Sequence, residues 1–417
     1  MKEIFDSIIN LGFSIFNLIV NTLVRIFTCL IPKNPKRILI GLWRGNRFAD
    51  NARYCYFELT KIPDLEVNLV VNDRKLYKIL KTNNIRVVKK WSFKSLYLHV
   101  TSKYHIIDQD HKGLLGYFSA NAVRIMLWHG VPLKKIWKLD VKAKNNKLAY
   151  WIEKLNQKIR AICKGYCSIG RWYVYDLVTP SKYDWDAIFS KVVFSDLVKP
   201  IFCKYPRVNY MLGNVDNVLL EEEKEYLKKI EEAKNENKKI LFYAPTFRDE
   251  SGTMIFGTKT DEELQDFISF LNSNDIALMV KMHAVERRKI EGVENCIFLD
   301  SNCDISVFMQ YADGLITDYS SVYFDYLIFD KPIIFYPYDI DNYKTADRGF
   351  MVDYDTSTSG DKVYTLDELK ECIKKLKNNK WKDDYKKARE ETQKRIMDIT
   401  QKSVGEYIEE KLKNYWQ

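Results

Sequence analysis

Two histidines stand where an imidazole could move a proton. His129 follows the apolar run of residues 123–127 and precedes Gly130 and Pro132. A histidine at the carboxyl end of a buried strand, in a glycine-containing turn, points into the crevice where α/β folds bind ligands. Imidazole titrates near neutrality, so it can take a proton from a hydroxyl nucleophile. On spacing alone, a purely structural histidine is the better reading. His283 occupies the matching place in the second half, at the end of the run 277–282. Asp318-Tyr319-Ser320-Ser321 comes directly after residues 314–317 and opens a helix. Free N–H groups and the positive dipole end at such a junction suit a phosphate, with the two serines adding hydroxyl donors. The alternative is that Asp318 or Ser320 only caps the helix. Thr246 and Arg248 follow another strand and could reach the same cleft, as could Arg348 beside Gly349, although most arginines are surface residues.

Other constellations carry less. Asp108-Gln109-Asp110 has the form of a carboxylate pair, a pattern too common by chance to indicate a metal. Of the eight cysteines only Cys163 and Cys167 lie close together. They read as reduced thiols of a cytosolic protein, without a zinc site. Residues 134–164 hold ten Lys or Arg against Asp140 and Glu153, with Trp137, Tyr150 and Trp151 interleaved. Lys134, Lys135, Trp137 and Lys138 therefore form a candidate surface for an anionic membrane or lipid-linked acceptor. Nucleic-acid binding and a solvated helix face fit the same composition.

The elements that must hold these groups alternate between strand and helix. Residues 37–42, 65–71, 104–107 and 123–127 read as buried strands, which implies a largely parallel α/β sheet. Residues 168–212 continue the pattern less clearly, interrupted by Pro180, Pro200 and Pro206. The charged run 221–239 marks a domain boundary. Beyond it, strands are expected at 239–244, 277–282, 296–299, 314–317 and 333–336. Helices are expected at 262–272, 305–311 and 321–329, with Thr365 and Glu368 forming a capping box. The division is thus 1–32, 33–225 and 226–417, with two α/β domains flanking a cleft.

The first segment is distinct. Between Ser7 and Ile31 the one charge is Arg25, and the polar residues Ser7, Asn10, Ser14, Asn17, Asn21, Arg25 and Thr28 recur every three or four positions. On a helix they make one narrow polar stripe on an otherwise apolar cylinder. That pattern favours a helix lying in a membrane interface, or one packing its stripe on a partner, over a cleaved signal. The basic residues that follow place the remainder on the cytoplasmic face. With 46% hydrophobic residues, 16 Gly and 10 Pro, the 417-residue chain forms a core and is not disordered. Its net charge of +10 suits an anionic partner without saying which.

Together these segments resemble the CDP-glycerol glycerophosphotransferase family of teichoic-acid synthesis. The matching pieces run in family order: Gly41 with Ala49-Asp50-Asn51-Ala52-Arg53, Trp128 to Lys134, Tyr205-Pro206-Arg207, Tyr243 to Arg248, and Lys281-Met282-His283. They continue with Asp313 to Ser321, Phe324-Asp325-Tyr326, Pro332, Tyr338-Asp339 and Arg348-Gly349-Phe350. The resemblance implies a GT-B fold of two Rossmann-like domains, with the second holding the CDP donor and the first receiving the acceptor. It also implies His129 as general base, with His283, Ser320, Ser321 and Arg348 around the donor pyrophosphate. Ala284, Val208-Asn209 and residues 356–361 depart from the family pattern and leave the donor's identity open. The expected reaction passes glycerol phosphate, or ribitol phosphate, from its CDP carrier to a lipid-linked or polymeric acceptor, releasing CMP without a cofactor or obligatory metal. A single catalytic module points to a primase or short-chain transferase, and a homo-oligomer is compatible with the sequence. No nucleic-acid partner is expected. The rivals are a GT-B glycosyltransferase using a nucleotide sugar and a basic membrane-surface scaffold without catalysis.

Overall fold

The computed structural model describes residues 2–109, 111–119, 121–133, 135–136, 148, 151–152, 154–155, 175–193, 198–246, 255–281, 292, 295–300, 302–341, 343 and 350–416. Contacts divide the chain into two units. One comprises Met1–His129, Trp137–Arg207 and Thr400–Gln417, the other Gly130–Ile136 and Val208–Ile399.

The first unit is built on seven parallel strands: β1 (Asn34–Gly41), β2 (Glu66–Val71), β3 (Val87–Lys89), β4 (Ser102–Ile107), β5 (Val123–Met126), β6 (Asp176–Thr179) and β7 (Lys199–Phe202). Their order, β3-β2-β1-β4-β5-β6-β7, reverses direction between β1 and β4. In such sheets the crevice at the carboxyl ends of the two strands flanking the reversal is the ligand site. The longer runs fall where apolar continuity puts them. Strands β3, β6 and β7 have three or four residues, too few for a periodic signal, and Pro200 is tolerated because β7 is an edge strand.

Helix α1 (Lys2–Cys29) precedes the sheet, and α2 (Asp50–Leu59), α3 (Arg74–Thr82) and α4 (Phe93–Thr101) follow β1, β2 and β3. Asp73 caps α3 by accepting from the Leu76 N–H at 2.6 Å, and Ser92 caps α4 through the Ser95 N–H at 3.1 Å. In α1 three members of the polar stripe, Ser7, Ser14 and Thr28, are buried, while Asn10 is exposed. Small side chains let the helix approach its neighbour closely. The apolar side is left outward, with Phe5, Phe13, Phe16, Ile19 and Phe27 all more than half exposed. No helix among the described residues is long and apolar enough to cross a membrane.

Two buried histidines make this unit sensitive to acid. His99 Nδ1 lies 2.7 Å from the Ser95 carbonyl, and its Nε2 accepts from the Leu115 N–H at 2.8 Å, which assigns the neutral tautomer. Burial lowers its pKa to about 4, and burial likewise holds His105 well below the usual imidazole value. The unfolded chain therefore binds more protons below about pH 6.5, so this stabilisation is complete above that pH and is lost as pH falls towards the folded value. Asp108 and Asp184, raised by burial, act in the opposite sense. A comparison of variants isolates the histidine. The stability deficit of His99→Gln at pH 7 is expected to shrink by about 2 kcal/mol at pH 5. Denaturant unfolding at the two pH values checks it, and a constant deficit would contradict the assignment.

The second unit holds six parallel strands: β8 (Lys239–Ala244), β9 (Ile276–Val280), β10 (Cys296–Phe298), β11 (Gly314–Thr317), β12 (Ile333–Phe335) and β13 (Asp361–Lys362), in the order β10-β9-β8-β11-β12-β13. Helices α5 (Glu221–Asn235), α6 (Asp261–Ser273), α7 (Val322–Tyr326), α8 (Leu366–Lys377) and α9 (Lys386–Ile396) belong to it, while α10 (Val404–Trp416) returns to the first unit against α2 and β1. The division therefore falls at Arg207/Val208 and again near residue 400, where a single boundary at 225/226 was expected. Helix α5 lies within the second unit and not at its boundary. It buries Glu223, Ile230 and Ala233 and packs on β8, and its many charges occupy the remaining faces. Thr365 and Glu368 form the expected capping box. Residues 305–311 form turns and a short 3₁₀ segment, Met309–Tyr311, instead of the expected helix.

Candidate functional site

In the second unit the sheet reverses direction between β8 and β11, and the loops leaving these strands are tied together. The Asp318 carboxylate, buried just beyond β11, accepts from the Thr246 N–H at 2.9 Å and from the Tyr319 N–H at 2.6 Å. The Thr317 hydroxyl donates to the Ala244 carbonyl at 2.8 Å, and the Tyr354 hydroxyl donates to the Asp318 carbonyl at 3.0 Å. Below, the Tyr319 ring stacks on Tyr343 at 4.0 Å while its hydroxyl donates to Asp339 at 3.1 Å. Asp318 is thus a latch between two loops and not a helix cap. The next two residues are half-buried, and among the described residues nothing accepts from the backbone N–H of Ser320 or Ser321. The helix they open is shorter than expected: α7 has five residues and runs into a 3₁₀ turn, Leu327–Phe329. The anion-binding capacity here therefore lies in two fixed amides and two hydroxyls, one of which, on Ser320, also accepts from the Val322 N–H at 3.4 Å.

The first unit has its own cluster at the corresponding edge. The ladder of β4 and β5 is extended by the Leu127 N–H donating to the Ile107 carbonyl and the Trp128 N–H to the Asp108 carbonyl. Trp128 then takes a left-handed conformation, φ 59°, which is costly for a bulky residue and redirects the chain at His129. The turn is held on both sides. Asn51 Nδ2 donates to the Trp128 carbonyl at 2.7 Å, and Arg207 Nη2 donates to the His129 carbonyl at 3.2 Å. Arg207, almost wholly buried, also pairs with the Asp50 carboxylate. Asp108 accepts from the Ala52 N–H at 2.6 Å, while its other oxygen is buried without a partner among the described residues. Burial, and then the neighbouring Asp50 charge, push the Asp108 carboxyl well above the usual range.

His129 retains some exposure, but its ring lies 4.0 Å from that of Trp128 and its Nδ1 is enclosed without a partner. Burial, then the Arg207 and Arg47 guanidiniums, lower its pKa to about 3. The imidazole is thus neutral at physiological pH, with a free lone pair, and an anionic ligand that offset the two guanidiniums would raise its basicity.

A sequence model of the family described as CDP-Glycerol:Poly(glycerophosphate) glycerophosphotransferase matches residues 22–413. The chain belongs to this family. The teichoic acid glycerol-phosphate transferase of Staphylococcus aureus is 29% identical over 358 residues, covering 83% of this chain and 86% of the relative. A teichoic acid poly(glycerol phosphate) polymerase of Bacillus spizizenii is 27% identical, covering 86% and 89%. Among solved structures, a variant of the wall teichoic acid polymerase TagF, soaked with CDPG, superposes with a TM-score of 0.69 at 21% identity, each chain covered completely. That likeness speaks for the fold.

Within this glycerophosphotransferase, Thr246, Asp318, Ser320 and Ser321 are brought together at the second unit's strand reversal, and His129 follows β5 in the first. Lys135 is exposed. His283, Arg248, Arg348, Gly349, Lys134, Trp137 and Lys138 lie outside the described residues, as does Asp110. Sequence reasoning passed over Asp50, Asp108 and Arg207 as chemical groups. A signal for Asp108 was present, an acid directly after a buried strand, but it was considered only as half of a metal pair. Cys55, Cys203, Cys303 and Cys372 are buried in the core and form no disulfide with one another.

Proposed function

We propose that the chain transfers a polyol phosphate, glycerol phosphate foremost, from a CDP-activated donor to a hydroxyl of a lipid-linked or polymeric cell-envelope acceptor, in teichoic-acid or related wall-polymer synthesis. The observation that carries this reading is the Asp318 latch, which leaves the Ser320 and Ser321 amides free at the strand reversal of a family member. The two units correspond, in this reading, to the halves of a GT-B enzyme. The donor pyrophosphate rests on the Ser320 and Ser321 amides and hydroxyls, with His283, Arg248 and Arg348-Gly349 completing its surroundings as the family resemblance implies. The acceptor oxygen attacks the polyol-side phosphorus and His129 takes its proton. The bond from that phosphorus to the bridging oxygen breaks, and CMP leaves with the electron pair. Hydrogen-bond donors meet the growing charge, so no obligatory metal is proposed.

Incubation with CDP-glycerol, CDP-ribitol and a panel of nucleotide sugars, beside a synthetic lipid-linked acceptor, tests the reading. CMP and an acceptor heavier by one polyol phosphate are expected. Release of a nucleoside diphosphate from a sugar donor would instead establish a glycosyltransferase.

We also propose that α1 lies in the interface of the cytoplasmic membrane face. Its outward apolar side is what such a helix buries among lipid chains. Phe13→Asp with Phe16→Asp is expected to abolish co-sedimentation with anionic vesicles, and undiminished co-sedimentation would remove α1 from the membrane contact.

A further inference from the structure

We propose that a basic hollow at the carboxyl ends of β2 and β3 binds the phosphodiester backbone of the acceptor chain, away from its reacting end; the inference rests on the phosphotransferase reading above. The hollow measures about 940 Å³, and its lining includes Arg74, Lys75, Lys78, Lys89, Lys90 and Trp91 but no carboxylate. Arg74, Lys75 and Lys78 come from the first turns of α3, and the other three from the end of β3 and the residues after it. Five cations share one concave surface.

Such a cluster differs from an ordinary solvated lysine face. On α5, Lys224, Lys228 and Lys229 each pair with a glutamate one turn away. Among the described residues no carboxylate pairs with Arg74, Lys75, Lys78 or Lys89. The Lys89 ammonium instead lies 5.0 Å from the Tyr77 ring centre, and Lys90 is spent partly on the Lys112 carbonyl at 2.6 Å. Mutual repulsion among uncompensated charges is a standing cost that a polyanion relieves, and a concave wall concentrates the field.

Position selects the ligand. In the sheet β2 is three strands from β5, about 14 Å at the usual strand spacing. The hollow is therefore too far away to hold the hydroxyl that His129 would deprotonate, and well placed for phosphates further along the same chain. The intervening loop adds further cations. Residues 43–48 carry Arg44 and Arg47, and their loop is fastened to the hollow where the Gly45 carbonyl accepts from the Asn72 N–H at 2.7 Å and the Asp73 N–H at 3.2 Å. Gly45 has φ +74°, and a Cβ there would sit 2.8 Å from the Asn72 nitrogen, so the close approach requires glycine. The Arg47 charge in turn acts on Asp108 and His129. Cations are thus spaced between the hollow and the imidazole, a pattern that matches regularly spaced phosphates better than a lone anion. A lipid surface presents its headgroups in a plane, which the concavity does not match.

Calorimetric titration of the full chain with a short synthetic oligo(glycerol phosphate) tests the inference without requiring turnover. Arg74→Gln/Lys75→Gln/Lys78→Gln, all exposed positions, is expected to raise the dissociation constant at least tenfold at 0.15 M salt. CDP-glycerol affinity, the unfolding midpoint and partition onto phosphatidylglycerol vesicles are expected to stay near wild type. The control Lys228→Gln/Lys229→Gln should leave oligomer binding unchanged. Oligomer affinity within twofold of wild type in the triple variant would overturn the inference, as would a parallel loss of vesicle binding, which would make the hollow a membrane contact. A wild-type chain that binds the oligomer through these residues yet transfers nothing from any CDP-polyol would sink the reaction and leave the binding site standing.

Discussion

His129→Ala is expected to lower kcat by ~10²–10⁴-fold while leaving affinity for CDP-glycerol within about twofold of wild type. The separation follows from where the residues lie. His129 follows β5 in the first unit, while the groups proposed for the pyrophosphate follow β8 and β11 in the second. The imidazole is kept neutral by burial and two guanidiniums, so it is already in the form that accepts a proton. The acid limb of kcat/KM, which reports the free enzyme's base, should accordingly lie well below the ordinary imidazole range. Initial rates with saturating acceptor, beside donor titration by calorimetry, check both parts. Equal losses in binding and turnover would show that His129 holds the donor and would remove its role as base.

Asp318→Ala should damage the second unit in a different way. One carboxylate oxygen satisfies two buried amides, on Thr246 and Tyr319, and each amide left without a partner costs about 1–3 kcal/mol. The expected loss of stability is therefore on the order of 2–6 kcal/mol, summed over the pair. Donor affinity should fall with it, because the Ser320 and Ser321 amides directly follow the latch. Asp318→Asn keeps an acceptor oxygen in the same place and should recover most of the stability. Chemical denaturation and donor titration of the two variants separate a latch from a charge. If Asn were as damaging as Ala, the negative charge, and not the geometry, would be what matters.

Much of the second unit was legible because its signals are local. Residues 240–244 are an uninterrupted apolar run that stops at Pro245, and Thr365 with Glu368 announces a helix start in four residues. The loops after β8 and β11 leave one edge of the sheet, since adjacent parallel strands deliver their carboxyl ends to the same side. That Asp318 ties them together was not legible, because a hydrogen bond spanning 72 residues leaves no trace in spacing. Arg207 and Asp50 are hidden for the same reason: their ion pair spans 157 residues, and each looks like a surface charge in its own segment. Helix α1 shows a further limit. Its polar stripe could be read from the three-to-four residue spacing, but periodicity does not say which face turns inward. The structure buries Ser7, Ser14 and Thr28 and leaves Asn10 exposed. The α5 region misled because dense charge looks like a domain boundary when only three of fifteen residues are buried.

The most direct test of the central claim is a structure of the His129→Ala variant with intact CDP-glycerol. The account predicts pyrophosphate oxygens about 3 Å from the backbone nitrogens of Ser320 and Ser321, the distance of an N–H donor to its acceptor. A pyrophosphate bound elsewhere, with those two amides still facing solvent, would contradict it.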